Sequence, residues 1–251
     1  MFTNQNGIAY LTFGNPKNQS LVLVHAAGTD SSIWDYQTES LSNRFYVITY
    51  DLRGHGNSKS STVADLNTHS EDLKNLIIGL NLNTPILCGL SLGGVIAQKY
   101  AETNPVSRLI LVGSPAYSIG GKIKLIANLK KIVSVTIVRW FWPGSVRIIM
   151  DLFFRNLDFE RKSYAIDLTI RNGLKTFLEE IEILFDFAGA DLSNIKNITI
   201  LLGEKEDRRV FEHSWFLQQK FNAKQIIIPG CYHVPNWENP AEFNRILSEC
   251  L

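Results

Sequence analysis

The sequence predicts an α/β fold, a doubly wound and mostly parallel sheet with an inserted helical cap. Short β-rich apolar runs without polar alternation recur along the chain, as strands covered on both faces require. Amphipathic stretches with helical periodicity lie between them, and such alternation implies a parallel sheet flanked by helices. One long segment, residues 117–194, breaks that rhythm and reads as helical throughout.

Taken in order, Asn6-Gly7 sits between two strand-like pieces and predicts an opening hairpin. The buried-type strands follow at residues 21–25 (LVLVH), 45–50 (FYVITY), 85–88 (PILC), 109–112 (LILV), 198–202 (ITILL) and 225–228 (QIII). Residues 70–80 carry Leu73, Leu76, Ile77 and Leu80 at helical spacing. A second helix spans residues 92–103 and stops before Asn104-Pro105, where proline disfavours a helical predecessor. Residues 213–221 form a third. The last begins at Asn239-Pro240, with Asn as N-cap and Pro at the first helical position. Between residues 117 and 194 there is no strand pattern, and aromatics cluster at Trp140-Phe141-Trp142 and Phe153-Phe154. A structureless loop of that length is implausible inside a domain. The expected organisation is a core of residues 1–116 and 195–251 with a cap insertion at 117–194.

A chain of 251 residues, 45% hydrophobic and 20% charged, is long enough and apolar enough for one large globular domain. Its net charge of +1 gives no reason to expect a nucleic-acid partner. Cys88, Cys231 and Cys250 are odd in number and widely spaced, which fits free thiols in a reducing cytoplasm better than a disulfide or zinc framework. Residues 1–14 lack a basic head followed by an apolar run, so no secretory signal is expected. No apolar stretch is long enough to span a bilayer.

Gly89-Leu90-Ser91-Leu92-Gly93 matches G-x-S-x-G. A match alone would arise by chance about once in ten chains of this size, and a glycine-rich turn with a capping serine would look the same. Here PILC precedes it as a strand and VIAQKYAET follows as a helix, the setting in which the motif forms a sharp turn that exposes the serine hydroxyl. The Leu92 amide then lies at a helix N-terminus, where it can face a developing oxyanion.

A serine hydroxyl needs a base. His233 follows the last predicted strand, in the loop Gly230-Cys231-Tyr232-His233, where an imidazole could reach across the sheet top. An acid to orient it should follow the preceding strand, and Gly203-Glu204-Lys205-Glu206-Asp207 offers Glu206 and Asp207. One of the two would be an ordinary solvated loop charge.

With these residues in place, the chain resembles the α/β-hydrolase superfamily over nearly its whole length apart from the cap. The order Ser, acid, His is that family's. His25-Ala26-Ala27-Gly28 resembles its H-G-x-G loop, with Ala26 in place of glycine, and 51–58 (DLRGHGNS) resembles its D-x-R-G-x-G-x-S turn. Tyr232 stands where a glycine commonly precedes the histidine. The resemblance implies that the Ala27 amide is the second oxyanion donor, that His55 is structural, and that no cofactor or metal is needed. Distance from Gly203 matches the family acid to Glu206, whereas counting back from Val210 matches it to Asp207. A serine in the elbow argues against the dehalogenases and epoxide hydrolases that use aspartate there.

The expected activity is hydrolysis of a small, hydrophobic carboxylic ester, thioester or lactone through an acyl-enzyme on Ser91. The same scaffold also hosts C–C bond hydrolases, acyltransferases, lyases and receptor-like proteins with a residual triad. The cap aromatics would either line the pocket or pack the cap's own core. From residue 119 to 150 the chain carries Lys122, Lys124, Lys130, Lys131, Arg139 and Arg147 and no acid, a pattern open to contact with anionic lipid or to simple solvation.

Overall fold

The computed structural model describes residues 2–4, 6–58, 64–121 and 124–251. Its strands are β1 (Phe2–Thr3), β2 (Ala9–Phe13), β3 (Ser20–Val24), β4 (Tyr46–Tyr50), β5 (Ile86–Leu90), β6 (Arg108–Val112), β7 (Ile198–Gly203) and β8 (Lys224–Ile228). They form one sheet in the order β1-β2-β4-β3-β5-β6-β7-β8. The β1–β2 and β2–β4 pairings are antiparallel, and every pairing from β4 to β8 is parallel. The helices are α1 (Asp35–Leu41), α2 (Leu66–Gly79), α3 (Leu92–Ala101), α4 (Lys124–Phe141), α5 (Gly144–Phe153), α6 (Phe159–Asn172), α7 (Leu174–Asp186), α8 (Arg208–Phe221), α9 (Pro235–Glu238) and α10 (Pro240–Cys250).

Alternation along the strands divides the core in two. Leu21, Leu23, Cys88, Ile110 and Leu201 face one side, where they pack with Trp34, Phe243 and Leu247. Val22, Val24, Leu87, Leu109 and Ile200 face the other, against Leu73, Leu76, Val95 and Ile96 of α2 and α3. Full burial of each such side chain is worth roughly 1.5–3 kcal/mol. The first core continues into the segment between β6 and β7 through Val138, Val146, Phe154 and Phe177, so α4 to α7 are packed onto the sheet domain.

The sequence and structure differ mainly at element ends. The helix expected over residues 70–80 starts at Leu66, because the Asp65 side chain accepts the Thr68 amide at 2.7 Å and adds a half-exposed first turn without apolar periodicity. The helix expected at 213–221 starts at Arg208 for the same reason, capped by Asp207. The strand expected at 85–88 runs on through Gly89 and Leu90, which are buried. Helix α1 and the 3-10 turn at Ser31–Trp34 carry too few apolar positions to show a period.

Parallel register places the functional loops together. Val24 pairs with Gly89, Leu90 with Val112, and Val112 with Leu201. The residues just beyond the carboxyl ends of β3, β5, β6 and β7 therefore share one edge, where open α/β sheets place their sites.

Candidate active site

Ser91 is the turn between β5 and α3. Its backbone sits at φ 52° and ψ −114°, a conformation that costs a non-glycine residue of order 1–3 kcal/mol. Neighbouring bonds maintain it: the Ser91 amide donates to the Val112 carbonyl at 2.8 Å, and Ser114 Oγ donates to the Ser91 carbonyl at 3.0 Å. A Cβ on Gly93 would overlap the Val24 carbonyl, and one on Gly89 would overlap the Gly93 carbonyl. The two glycines let the elbow press against β3. Leu92 is the first residue of α3, so its N–H has no acceptor within the helix.

His233 lies beside that elbow. A Cβ on Gly113, next after the Val112 that holds Ser91, would stand 3.2 Å from His233 Nδ1 and 3.2 Å from Glu206 Oε2. His233 Nδ1 donates to Glu206 Oε2 at 2.7 Å, and the Glu206 side chain is 4% exposed. Burial alone would lower the imidazole pKa, but the charge and hydrogen bond of Glu206 outweigh it, with help from Glu238 and Asp207, and raise it. Asp207 has other work. Its carboxylate accepts the Arg209 amide at 2.9 Å as the N-cap of α8, pairs with the Arg209 side chain at 3.0 Å, and is half exposed. Of the two acids the sequence left open, Glu206 meets the imidazole.

The loop after β3 is held by His25, whose Nε2 accepts the Leu52 amide at 2.8 Å while Nδ1 donates to the Ala26 carbonyl at 2.8 Å. Burial and the neighbouring His55 push the His25 pKa down to about 3, so it stays neutral. Ala27 follows, partly exposed at the sheet edge. In the 51–58 turn, Asp51 accepts the amides of Ser31 and Asn57 at 2.9 and 2.8 Å. His55 is occupied on both nitrogens, by the Arg53 carbonyl at 3.1 Å and by Glu180 Oε1 at 2.6 Å.

Two carboxylates were not singled out in the sequence. Glu238, in α9, accepts the amides of Tyr232 and Val234 at 2.7 and 3.0 Å, clasping the chain on both sides of His233. Glu180, in α7, accepts the Gly28 amide at 2.9 and 3.1 Å. Glu180 stands among other glutamates in an amphipathic stretch, and nothing local marks it. From the same segment between β6 and β7, Thr169 Oγ1 of α6 donates to the Gly28 carbonyl at 2.9 Å, and the guanidinium of Arg155, in the turn between α5 and α6, lies 4.0 Å over the Tyr232 ring. Among the described residues, no three His, Cys, Asp or Glu side chains converge as a metal site requires.

The model of the alpha/beta hydrolase family matches residues 21–246. The 3-oxoadipate enol-lactonase 2 of Acinetobacter baylyi is 29% identical over 260 aligned residues, covering 96% of this chain and 92% of that protein. Among solved structures, MenH from S. aureus superposes with a TM-score of 0.83 at 21% identity, covering 98% of this chain and 97% of that one. A thermophilic esterase from Thermogutta terrifontis superposes with a TM-score of 0.81 at 21% identity, covering 96% and 92%. The chain belongs to the alpha/beta hydrolase family, and it is a hydrolase of that class.

Proposed function

We propose that the chain hydrolyses a small carboxylic ester, thioester or lactone through an acyl-enzyme on Ser91. The observation that carries this reading is the buried Glu206–His233 pair, 2.7 Å long, set against the strand end that also anchors the strained Ser91. Two relatives at low identity support the ester or lactone class: the enol-lactonase of Acinetobacter baylyi and a pimeloyl-[acyl-carrier protein] methyl ester esterase of Nitrosospira multiformis, 26% identical.

In this mechanism Ser91 Oγ attacks the carbonyl carbon while His233 Nε2 takes its proton. Glu206 remains an anion, fixing the tautomer with the proton on Nδ1 and stabilising the imidazolium. Negative charge gathers on the former carbonyl oxygen, which the amides of Ala27 and Leu92 receive. The carbon–oxygen or carbon–sulfur bond breaks and His233 returns its proton to the leaving group, which stays tethered to the acyl chain when the substrate is a lactone. Water then attacks the acyl-enzyme with His233 again as base, and the acid is released. The inserted helices act as a cap, with apolar side chains suited to a hydrophobic acyl part.

Labelling with a fluorophosphonate tests the reading. Wild type reacts, and Ser91→Ala and His233→Ala do not. Folded wild-type protein that fails to react overturns it.

A further inference from the structure

We propose that the outer face of α4 seats the protein on an anionic lipid surface. Helix α4 buries Ala127 and Val138 on one face. A surface helix ordinarily turns polar residues outward. Here Ile126 is 45% exposed, Leu129 62%, Val133 48%, Ile137 48% and Trp140 77%. Their spacing of three, four, four and three residues places them in one stripe along the helix. Phe141, 67% exposed, continues the aromatic end. A contiguous apolar stripe of this length on a surface marks an interaction site.

Charge selects the partner. Arg139 and Lys130, whose ammonium also donates to the Gly120 carbonyl at 3.3 Å, are exposed and lie on opposite sides of the stripe, and Arg147 is exposed on α5. Lys131, by contrast, is paired with the exposed Asp186 of α7 at 2.6 Å. Lys122 lies outside the described residues. No acid occurs from residue 119 to 150. A second copy of the chain set against this stripe would bring Lys130 and Arg139 against themselves, and Asp186, the acid of α7 beside α4, is already paired with Lys131. An anionic headgroup layer meets the bases, and the acyl boundary takes the apolar stripe, the arrangement of an interfacial helix. Trp140 and Phe141 are the side chains that favour the headgroup level. Among the described residues no helix is long and apolar enough to cross a membrane, which leaves α4 lying along the surface.

The test is co-sedimentation of the full chain with phosphatidylcholine vesicles, with and without phosphatidylglycerol, at low and high salt. Binding is expected only with phosphatidylglycerol and at low salt. Lys130→Gln with Arg139→Gln should weaken it by roughly thirtyfold, since each base near such a surface contributes about a factor of five. Leu129→Ser with Val133→Ser should also release the protein, with cooperative unfolding retained in both variants. Three outcomes overturn the proposal. Wild type could stay in solution with the anionic vesicles at low salt. Both variants could bind as wild type does. Light scattering could show a dimer that Leu129→Ser with Val133→Ser makes monomeric, without lipid binding.

Discussion

The Glu180 carboxylate of α7 accepts the Gly28 amide at 2.9 and 3.1 Å, tying an inserted helix to the loop after β3, one residue from Ala27. The same carboxylate holds His55 Nε2 at 2.6 Å, with both side chains essentially buried. The insertion and the Ala26–Ala27–Gly28 backbone therefore share one buried anchor.

Glu180→Ala should destabilise the fold by about 3–5 kcal/mol, because it leaves a buried imidazole and a buried amide without their acceptor. Glu180→Gln keeps an acceptor for Gly28 and should fold better. If Glu180 positions the Ala27 amide, kcat should fall in Glu180→Ala more than KM rises, with partial recovery in Glu180→Gln. Equal kcat in all three proteins would remove the positioning role.

The same pair gives stability a pH dependence. Burial lowers the His55 pKa, but the charge and hydrogen bond of Glu180, aided by the Arg53 carbonyl and Asp51, raise it overall, while neighbouring His25 stays neutral. A raised folded pKa contributes stability that is complete below the unfolded value of about 6.5 and is lost as pH rises through the folded one. The difference in Tm between wild type and Glu180→Gln should be largest at mildly acidic pH and shrink as pH rises. A difference that grows with pH would contradict the assignment.

His233 must be neutral to act as base, and its pKa is raised by Glu206 against the effect of burial. The acid limb of kcat/KM should therefore have its midpoint above about 6.5. Glu206→Gln should shift that midpoint down and lower kcat by about a thousandfold or more. Asp207→Asn keeps a good N-cap on α8 and should leave the rate near wild type, with a downward shift of the midpoint much smaller than that of Glu206→Gln, because Asp207 acts on His233 through charge alone. Kinetics across pH with the three proteins distinguish the two acids. A larger loss in Asp207→Asn would reverse the assignment.

Glu238 clasps the amides on both sides of His233. Removing that clasp in Glu238→Ala should let the imidazole wander and reduce kcat by about ten- to a hundredfold, with little change in KM. Single-turnover acylation would locate the loss in the chemical step. An unchanged acylation rate would show that the loop holds without Glu238.

Much of the fold is legible in the sequence because its signals are local. Runs such as LVLVH and LILV report strands buried on both faces, and they pair in parallel in the structure. The turn from β5 into α3 is legible because glycines at positions 89 and 93 leave room where only a bare backbone fits. Helix starts are less legible, since the first turns of α2 and α8 depend on capping aspartates rather than apolar period.

What the sequence determines by itself is the sheet, the elbow that carries Ser91, and the placement of His233 after the last strand, since each depends on residues close in the chain. Tertiary structure alone decides which of Glu206 and Asp207 meets the His233 imidazole, because neighbours in a loop point apart and only the packing of the His233 loop selects one. It alone brings Glu180 to Gly28 across 152 positions of chain. It also decides which face of α4 is outside: the helix is apolar on both faces, and packing covers only one of them, leaving Leu129 and Trp140 in water while Val138 is buried.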